Sequence, residues 1–174
     1  PICSLSDSTA VSVAAGATYN LGASDTVGSI AGAGTVALNS YTLTAGGLNT
    51  DTEVSGSITG TGGFTKVGTG TTTLSGANTY SGGTTISAGT LTVSGSLSDS
   101  TAVSVAAGAT YNLGASDTVG SIAGAGTVAL NSYTLTAGGL NTDTEVSGSI
   151  TGTGGFTKVG TGTTTLSEIG RAHV

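Results

Sequence analysis

The sequence predicts an all-β fold, and within that class a β-solenoid of about seven or eight short coils. Three observations lead there: a composition poor in charge and rich in glycine, closely spaced pairs of apolar residues, and internal repetition. The 174 residues include 32 glycines and only 7% are charged, whereas an average globular domain is roughly 25% charged. Thr, Ser, Asn and Gly must therefore supply most of the polar surface, which suits strands and turns better than helices.

Apolar residues recur two positions apart, as in the pairs Val11–Val13 and Leu91–Val93. A spacing of two is the strand period, in which one face of the strand is buried and the other is wet. The pairs are separated by Gly, Asn, Asp or Ser, which favour turns for steric and hydrogen-bonding reasons. Strands this short and this frequent indicate a sandwich, a barrel or a solenoid.

Internal repetition favours the solenoid among these architectures. Residues 4–75 recur letter for letter at residues 96–167, so the repeating unit is 92 residues long (96 − 4 = 92), and residues 76–95 join the two copies. A shorter echo, between residues 28–34 and 56–62, predicts a smaller period of roughly one coil. Coils of about 20–25 residues, each made of three short strands, would stack to bury apolar side chains that no coil buries alone.

The predicted domain is one β-solenoid over residues 1–167, built of a full unit, 4–95, and a truncated unit, 96–167. Residues 168–174 (EIGRAHV) leave the pattern abruptly. A common sequencing-library adapter encodes those letters when it is read in frame, so we interpret them as read-through from a DNA assembly. The single His of the chain lies in that stretch and is therefore not a candidate functional residue.

One stretch carries a family resemblance: Ile58–Leu91, which reads ITGTGGFTKVGTGTTTLSGANTYSGGTTISAGTL. It opens as I-x-G-x-G, continues as G-x-G-T-x-x-L-S-G-x-N-T-Y-x-G-G and closes as T-x-I-x-x-G-x-L. In this order it resembles the passenger-associated repeat of bacterial autotransporters, most densely over residues 56–95 and again, truncated, over residues 148–167. The resemblance implies a right-handed parallel β-helix, in which Ile58–Leu91 would form about one and a half coils.

The resemblance also implies a function, namely a rigid stalk exported and displayed at the surface of a Gram-negative cell. Its role would be structural and adhesive, with a host or neighbouring-cell surface, or further copies of the chain, as partners. The formal net charge of −6 argues against a nucleic-acid partner. No apolar run approaches the roughly 18–20 residues that cross a bilayer as a helix, so we expect no membrane insertion here. We expect any export signal and outer-membrane barrel to be encoded outside this stretch.

The sequence predicts no enzyme, no catalytic, cofactor-binding or metal-binding residue, and no cofactor. Without a His before residue 168, neither a Ser-His-Asp triad nor a pair of Cys3 with His can be assembled. The only closely spaced acidic pair, Asp51 and Glu53, recurs as Asp143 and Glu145. Two carboxylates on one strand face could serve glycoside chemistry, but a solvated turn is the simpler interpretation.

Two alternative functions remain open at this stage. A β-helical, polysaccharide-active enzyme would need basic and acidic side chains on one face, and Lys66 and its repeat Lys158 are the available bases. An ice- or surface-binding solenoid would need threonines in register on a flat face. The candidate run is Thr69, Thr71, Thr72 and Thr73, although its spacing is not kept coil after coil. Structural roles are predicted for five further residues: core packing or stacking for Phe64 and Tyr80, and side-chain ladders between coils for Asn20, Asn39 and Asn78.

Overall fold

The computed structural model describes residues 4–167, and every regular element within that range is a β-strand. Cys3 and the interpreted read-through at residues 168–174 lie outside the described residues. The strands, in chain order, are β1 (Ala10–Val13), β2 (Thr18–Asn20), β3 (Asp25–Val27), β4 (Ser29–Gly32), β5 (Thr35–Ala37), β6 (Leu43–Ala45), β7 (Thr52–Val54), β8 (Ile58–Thr59), β9 (Phe64–Lys66), β10 (Thr71–Leu74), β11 (Thr84–Ile86), β12 (Thr90–Val93), β13 (Ala102–Val105), β14 (Thr110–Leu113), β15 (Asp117–Val119), β16 (Ser121–Gly124), β17 (Thr127–Asn131), β18 (Leu135–Ala137), β19 (Thr144–Val146), β20 (Ile150–Gly152), β21 (Phe156–Lys158) and β22 (Thr164–Leu166).

The strands form three parallel stacks, which we call the first, second and third faces of the solenoid. The first face has the order β1-β4-β7-β10-β12-β14-β17-β20, and the third has β3-β6-β9-β11-β13-β16-β19-β22. The second face consists of β2-β5-β8 and β15-β18-β21, with the parallel bridge Ala77–Ser96 between them. Each coil, numbered from its strand on the first face, visits the three faces in turn. The predicted parallel β-solenoid of seven or eight coils is confirmed, with eight.

The coils are slightly shorter than predicted. Partners on the first face lie between 17 residues apart, at Thr110 and Thr127, and 22 residues apart, at Gly32 and Val54. The stretch predicted to form one and a half coils forms two, because it runs from β8 on the second face through β12 on the first. A repeat of small residues at the corners permits turns this tight.

The sequence echo between residues 28–34 and 56–62 predicted a period of about one coil, and this prediction is wrong. Ile30 lies on β4 of the first face, whereas the matching Ile58 lies on β8 of the second. The echo therefore advances the chain by one coil and one further face. Similar strand sequences can form strands on different faces, because on every face alternate side chains point inward.

Alternation along each strand builds a single core on the axis of the solenoid. Leu91 and Val93 of β12 point inward, for example, and the threonines beside them face outward. The two aromatic residues predicted to be core, Phe64 and Tyr80, are fully buried. Stacked parallel strands bury their apolar side chains against the coils above and below. The buried hydrophobic residues are Val13, Leu21, Val27, Ile30, Val36, Leu38, Leu43, Ala45, Val54, Ile58, Phe64, Leu74, Tyr80, Ile86, Leu91, Val93, Leu97, Val103, Val105, Ala109, Tyr111, Leu113, Val119, Ile122, Val128, Leu130, Leu135, Ala137 and Val146.

A column of glycines forms the corner between the first and second faces. A Cβ on Gly56 would lie 1.8 Å from the carbonyl oxygen of Gly34, and one on Gly76 would lie 1.8 Å from that of Gly56. Gly95 repeats the contact, with a Cβ placed 2.0 Å from the oxygen of Gly76. Real Cβ atoms do not approach a carbonyl this closely, so the corner admits only glycine while the backbones stack at this distance.

The 92-residue unit does not contain a whole number of coils. The sequence AVSV forms β1 on the first face of coil 1, and the identical AVSV forms β13 on the third face of coil 5. One unit therefore advances the chain by four coils and two further faces. As a result, each strand of the second copy lies on a different face from its identical counterpart in the first.

Candidate functional site

The acidic pair Asp51 and Glu53 sits on the outside of coil 3, at and beside β7. Asp51 Oδ1 accepts a hydrogen bond of 2.7 Å from the backbone N–H of Thr71, and Glu53 Oε1 accepts one from the hydroxyl of Ser75. Both acceptors therefore bond to the following coil. The repeated pair makes the same contacts, with Asp143 Oδ1 2.7 Å from the N–H of Thr163. Such contacts are those of acidic side chains that fasten one coil to the next.

Lys66, the base that an enzymatic site would need, points into the solenoid. Its side chain is fully buried, and Nζ donates hydrogen bonds to the carbonyl oxygens of Val67 at 2.6 Å, Gly68 at 2.9 Å and Ala88 at 3.4 Å. Burial lowers the pKa of Lys66, and the nearby charge of Asp51 opposes that shift. The carbonyl ring holds the ammonium at the corner between the third and first faces.

These positions bear on the enzymatic alternative that the sequence left open. Lys66 engages backbone carbonyls from inside the solenoid, whereas Glu53 is exposed on the outside and bonded to Ser75. General acid–base chemistry needs the two groups within reach of one reacting atom. The structure therefore does not bring these side chains together on an accessible surface.

Two tyrosines place hydroxyl groups inside the middle coils. Tyr80 Oη lies 2.6 Å from the hydroxyl of Thr84, and the backbone oxygen of Tyr80 accepts a 2.9 Å bond from the hydroxyl of Thr101. Tyr111 Oη lies 3.5 Å from Asp117 Oδ2. Burial raises the pKa of both tyrosines, since it disfavours the phenolate. Each tyrosine hydroxyl has a partner within its own coil, and the bond from the Thr101 hydroxyl to the backbone oxygen of Tyr80 ties two adjacent coils together.

Asp117 is a buried carboxylate that no sequence pattern predicts. It accepts a 3.1 Å bond from the backbone N–H of Leu97, at the edge of a shallow polar cleft beside Asp99 and Ser116. Burial raises the pKa of Asp117, and the hydrogen bonds from the backbone of Leu97 and Thr118 oppose the shift. No sequence signal marks it, because its identical counterpart near the amino terminus is only half-buried.

Asparagines form the predicted contacts between coils, though not all of them as ladders. Asn39 Nδ2 donates to Asn20 Oδ1 at 3.1 Å, and this pair recurs in the second copy between Asn131 and Asn112. Asn39 also holds a backbone φ of 54°, in the left-handed region that Asn tolerates better than most residues. Asn78 instead bonds to the backbone, since its Oδ1 accepts from the N–H of Ile58 at 3.0 Å.

Columns of threonine line the outside of the solenoid. On the third face, Thr26, Thr44, Thr65 and Thr85 are successive register partners in coils 1 to 4. Within the candidate run on the first face, Thr71 and Thr73 point outward and pair with Thr90 and Thr92, whereas Thr72 is buried. The two-column arrangement then ends, because Asn112 follows Thr92 in its column. The third-face column thus presents one hydroxyl per coil, whereas the first-face column of Thr73 and Thr92 begins beside the exposed, charged Glu53, the register partner of Thr73.

Three further features concern residues 4–167 as a whole. The side-chain nitrogen and oxygen atoms buried in this range all have hydrogen-bond partners. No group of three or more His, Cys, Asp or Glu side chains in these residues could hold a metal ion. No helix in the same range is long and apolar enough to span a membrane.

The fold and its paired polar groups define a structural β-solenoid. Within it, residues 64–93 match the family model of the passenger-associated-transport-repeat, so this segment is an autotransporter passenger repeat, as the sequence resemblance predicted. That repeat is a structural family and not an enzyme family, and it implies a secreted, cell-surface domain. Searches of curated proteins and of solved structures gave no match.

Proposed function

We propose that this chain is part of an adhesive stalk, displayed at the surface of a Gram-negative cell, whose lateral faces mediate adhesion or self-association. The observation that carries the proposal is the passenger repeat at residues 64–93, set in eight coils of parallel strands. A continuous ladder of hydrogen bonds makes such a rod stiff, and stiffness is what projects a binding surface away from a membrane.

The lateral faces suit contact with other hydroxyl-rich surfaces. The column Thr26, Thr44, Thr65 and Thr85 presents one hydroxyl per coil, at the roughly 4.8 Å spacing of neighbouring strands. A regular row of donors and acceptors can match another regular row, such as the same face of a second rod or a polysaccharide. The low charge of the chain, 7% of residues, limits the electrostatic repulsion between two such rods.

Cell aggregation tests this proposal. The chain is placed between a signal peptide and an outer-membrane barrel, and the settling of the displaying cells is followed over time. We expect faster settling than for cells displaying the barrel alone. A variant with Thr44→Glu and Thr65→Glu should settle like the barrel control at equal surface display, because like charges then oppose contact.

The matched control for this test is Thr18→Glu with Thr157→Glu, which adds equal charge at exposed positions of the second face, in coils 1 and 8. Equal settling of the chain-displaying and barrel-only cells would contradict a role in self-association. Binding of the displaying cells to a layer of host cells, measured in parallel, separates adhesion from self-association.

A second candidate function, binding to ice or another ordered surface, is favoured by one observation. Thr71 and Thr73 pair in register with Thr90 and Thr92 on the first face, which gives two parallel columns of threonine over two coils. Inhibition of ice recrystallisation by the purified chain tests it. Activity that is lost in Thr90→Lys but kept in Thr44→Lys would support ice binding; no activity in the parent chain would reject it.

A further inference from the structure

A shallow cleft on the second face is lined only by polar side chains. Its volume is about 290 Å³, and it lies on the side of the rod along coils 5 to 7, each of which has a neighbouring coil on both sides. The residues that line it are Asp99, Ser116, Asp117, Thr118, Thr134 and Thr136. Sites for apolar ligands are lined mainly by hydrophobic and aromatic side chains, so a ligand of this cleft would be held by hydrogen bonds and charge.

Four hydroxyl groups form two short rows in the cleft. Thr118 and Thr136 are register partners on β15 and β18, so they lie on neighbouring coils about 4.8 Å apart. Ser116 and Thr134 form the second row, in which Ser116 Oγ accepts the backbone N–H of Thr134 at 3.0 Å. The Ser116 hydroxyl can still donate a bond of its own. Rows of donors and acceptors at these separations match the hydroxyl groups around a sugar ring.

Two carboxylates share the cleft with these rows. Asp117 is held in place, because its Oδ2 accepts the N–H of Leu97 at 3.1 Å and lies 3.5 Å from Tyr111 Oη, whereas Asp99 is exposed. Burial raises the pKa of Asp117, and the charge of Asp99 adds to the shift, so the two acids are close enough to repel each other. The described residues that line the cleft include no base. A positively charged ligand would therefore relieve this repulsion.

The hydroxyl rows recur in the first copy of the unit. Thr26 and Thr44 are register partners there, and Ser24 Oγ accepts the N–H of Thr42 at 3.1 Å. Asp7 stands at the position that Asp99 has in the second copy. The same polar set is thus presented once per 92-residue unit. A polymer with a repeated sugar can engage more than one such set, which strengthens its binding without any new kind of contact.

We infer that this cleft binds an amino sugar that carries a free ammonium group, as a unit of a polysaccharide. Asp99 accepts hydrogen bonds from the ammonium, and the hydroxyls of Ser116, Thr118, Thr134 and Thr136 bind those of the ring. Charge-assisted bonds of this kind are stronger than bonds between neutral groups. A sugar acid would be repelled by the two carboxylates. The inference rests on the proposed adhesive function, of which it names the chemical class of one ligand.

Titration calorimetry with the purified full chain tests the cleft. A glucosamine oligosaccharide is added at about pH 6, where an amine carries a proton, and we expect saturable binding. The N-acetylated oligosaccharide has the same rings without the charge, so it should bind at least about tenfold more weakly. A linear diamine has the charge without the ring hydroxyls and should also bind at least about tenfold more weakly.

Charge-removing variants place the binding in the cleft. Asp7→Asn with Asp99→Asn removes the exposed acid of the polar set in both copies and should weaken glucosamine binding at least about tenfold. The matched control, Glu53→Gln with Glu145→Gln, removes equal charge from both copies at exposed positions outside the cleft and should leave binding unchanged.

Four results would overturn the inference: no saturable binding, equal binding of the acetylated oligosaccharide, equal binding of the diamine, or equal effects of the two double variants. The cell-settling experiment separates this failure from that of the proposed function. Cells that display the chain and still settle faster than the barrel control, while the purified chain does not bind glucosamine, would leave the adhesive role standing and remove the amino-sugar site.

Discussion

The two copies of the 72-residue block 4–75 share every residue, yet they bury different ones. Phe64 and Lys66 are fully buried in the first copy, whereas in the second Phe156 is half-buried and Lys158 is exposed. At the other end of the block the second copy is the more buried one, since Tyr19 is half-buried and its counterpart Tyr111 is fully buried. At the two ends of the block, burial is therefore set by the neighbouring coils, whereas core residues in its middle, such as Leu43 and Leu135, are buried in both copies.

The comparison matters for energetics because it separates residue type from surroundings. Identical residues near the ends of the block have the same chain neighbours and the same strand sequence, and differ in whether a coil lies on both sides. In a solenoid the stability is close to a sum of nearest-neighbour terms. Substituting both members of a pair therefore measures what one stacked coil contributes.

The largest expected difference is between Phe64→Ala and Phe156→Ala. Removing the buried ring of Phe64 should destabilise the chain by about 3–5 kcal/mol, the range for aromatic residues in cores, because two coils enclose the side chain. Because Phe156 is only half-buried, Phe156→Ala should lower the free energy of unfolding by about 1 kcal/mol. Urea unfolding followed by circular dichroism measures both. Equal losses would show that stacking does not set the contribution of this residue.

A smaller but more specific difference is expected between Lys66→Ala and Lys158→Ala. Lys66 donates hydrogen bonds to three carbonyl oxygens from inside the solenoid. Lys66→Ala should therefore lower the free energy of unfolding by about 2–3 kcal/mol, as for hydrogen bonds from charged donors whose partners stay buried. Lys158 is exposed, and its loss should fall within about 0.5 kcal/mol. The same unfolding experiment applies, and a larger loss for Lys158 than for Lys66 would contradict the assignment.

Glycine substitutions sharpen the comparison at the level of the backbone. Gly76→Ala places a methyl group 1.8 Å from the oxygen of Gly56, so the coils must separate at that corner, at a cost of about 1–3 kcal/mol. Gly22→Ala meets no atom within 4 Å and should be neutral or stabilise by about 0.4–1 kcal/mol through the unfolded chain. Thermal unfolding of the two variants distinguishes them. Similar melting temperatures would mean that the corner yields without loss.

The smallest effect concerns alkaline pH. Burial raises the pKa of Tyr111 in the folded chain, so above about pH 10, the ordinary pKa of tyrosine, the unfolded chain releases a proton that the folded chain retains. Stability should therefore fall as the pH rises above about 10. Tyr111→Phe should reduce that fall more than Tyr19→Phe. Burial raises the pKa of Tyr19 as well, but Tyr19 is only half-buried. Urea midpoints between about pH 9 and pH 11 measure the difference.

The fold was largely predictable because its signals are local. Alternation at a period of two, as at Val11 and Val13, and repetition along the chain identify strands and a solenoid without knowledge of which coil meets which. The inward position of Lys66 could also have been derived, since it lies two residues from Phe64 on the same strand. A charged residue is rarely fully buried without a partner, and the sequence did not reveal the carbonyl oxygens that bind its ammonium.

The environment of particular residues was not predictable, for a physical reason. Asp25 and Asp117 stand in identical sequences and accept the same 3.1 Å backbone bond, from Leu5 and Leu97 respectively, yet Asp25 is half-buried and Asp117 is buried, because the coil of residues 76–95 lies next to the second copy. The echo between residues 28–34 and 56–62 gave a wrong coil length for a related reason. A strand sequence that fits one face of the solenoid also fits the next face. Local pattern fixes which way a side chain points, but register along the whole rod decides what it meets.

The mismatch between the 92-residue unit and the coil has an evolutionary consequence. A gene that grows by copying this unit does not lay successive copies along one side of the rod; each copy is turned by one face, and the same side returns after three units. If gene conversion spread a favourable substitution through the array, the substituted positions would follow a helical path around the rod, one face further with each unit. A rod with distinct front and back would require the units to diverge in sequence or to change in length.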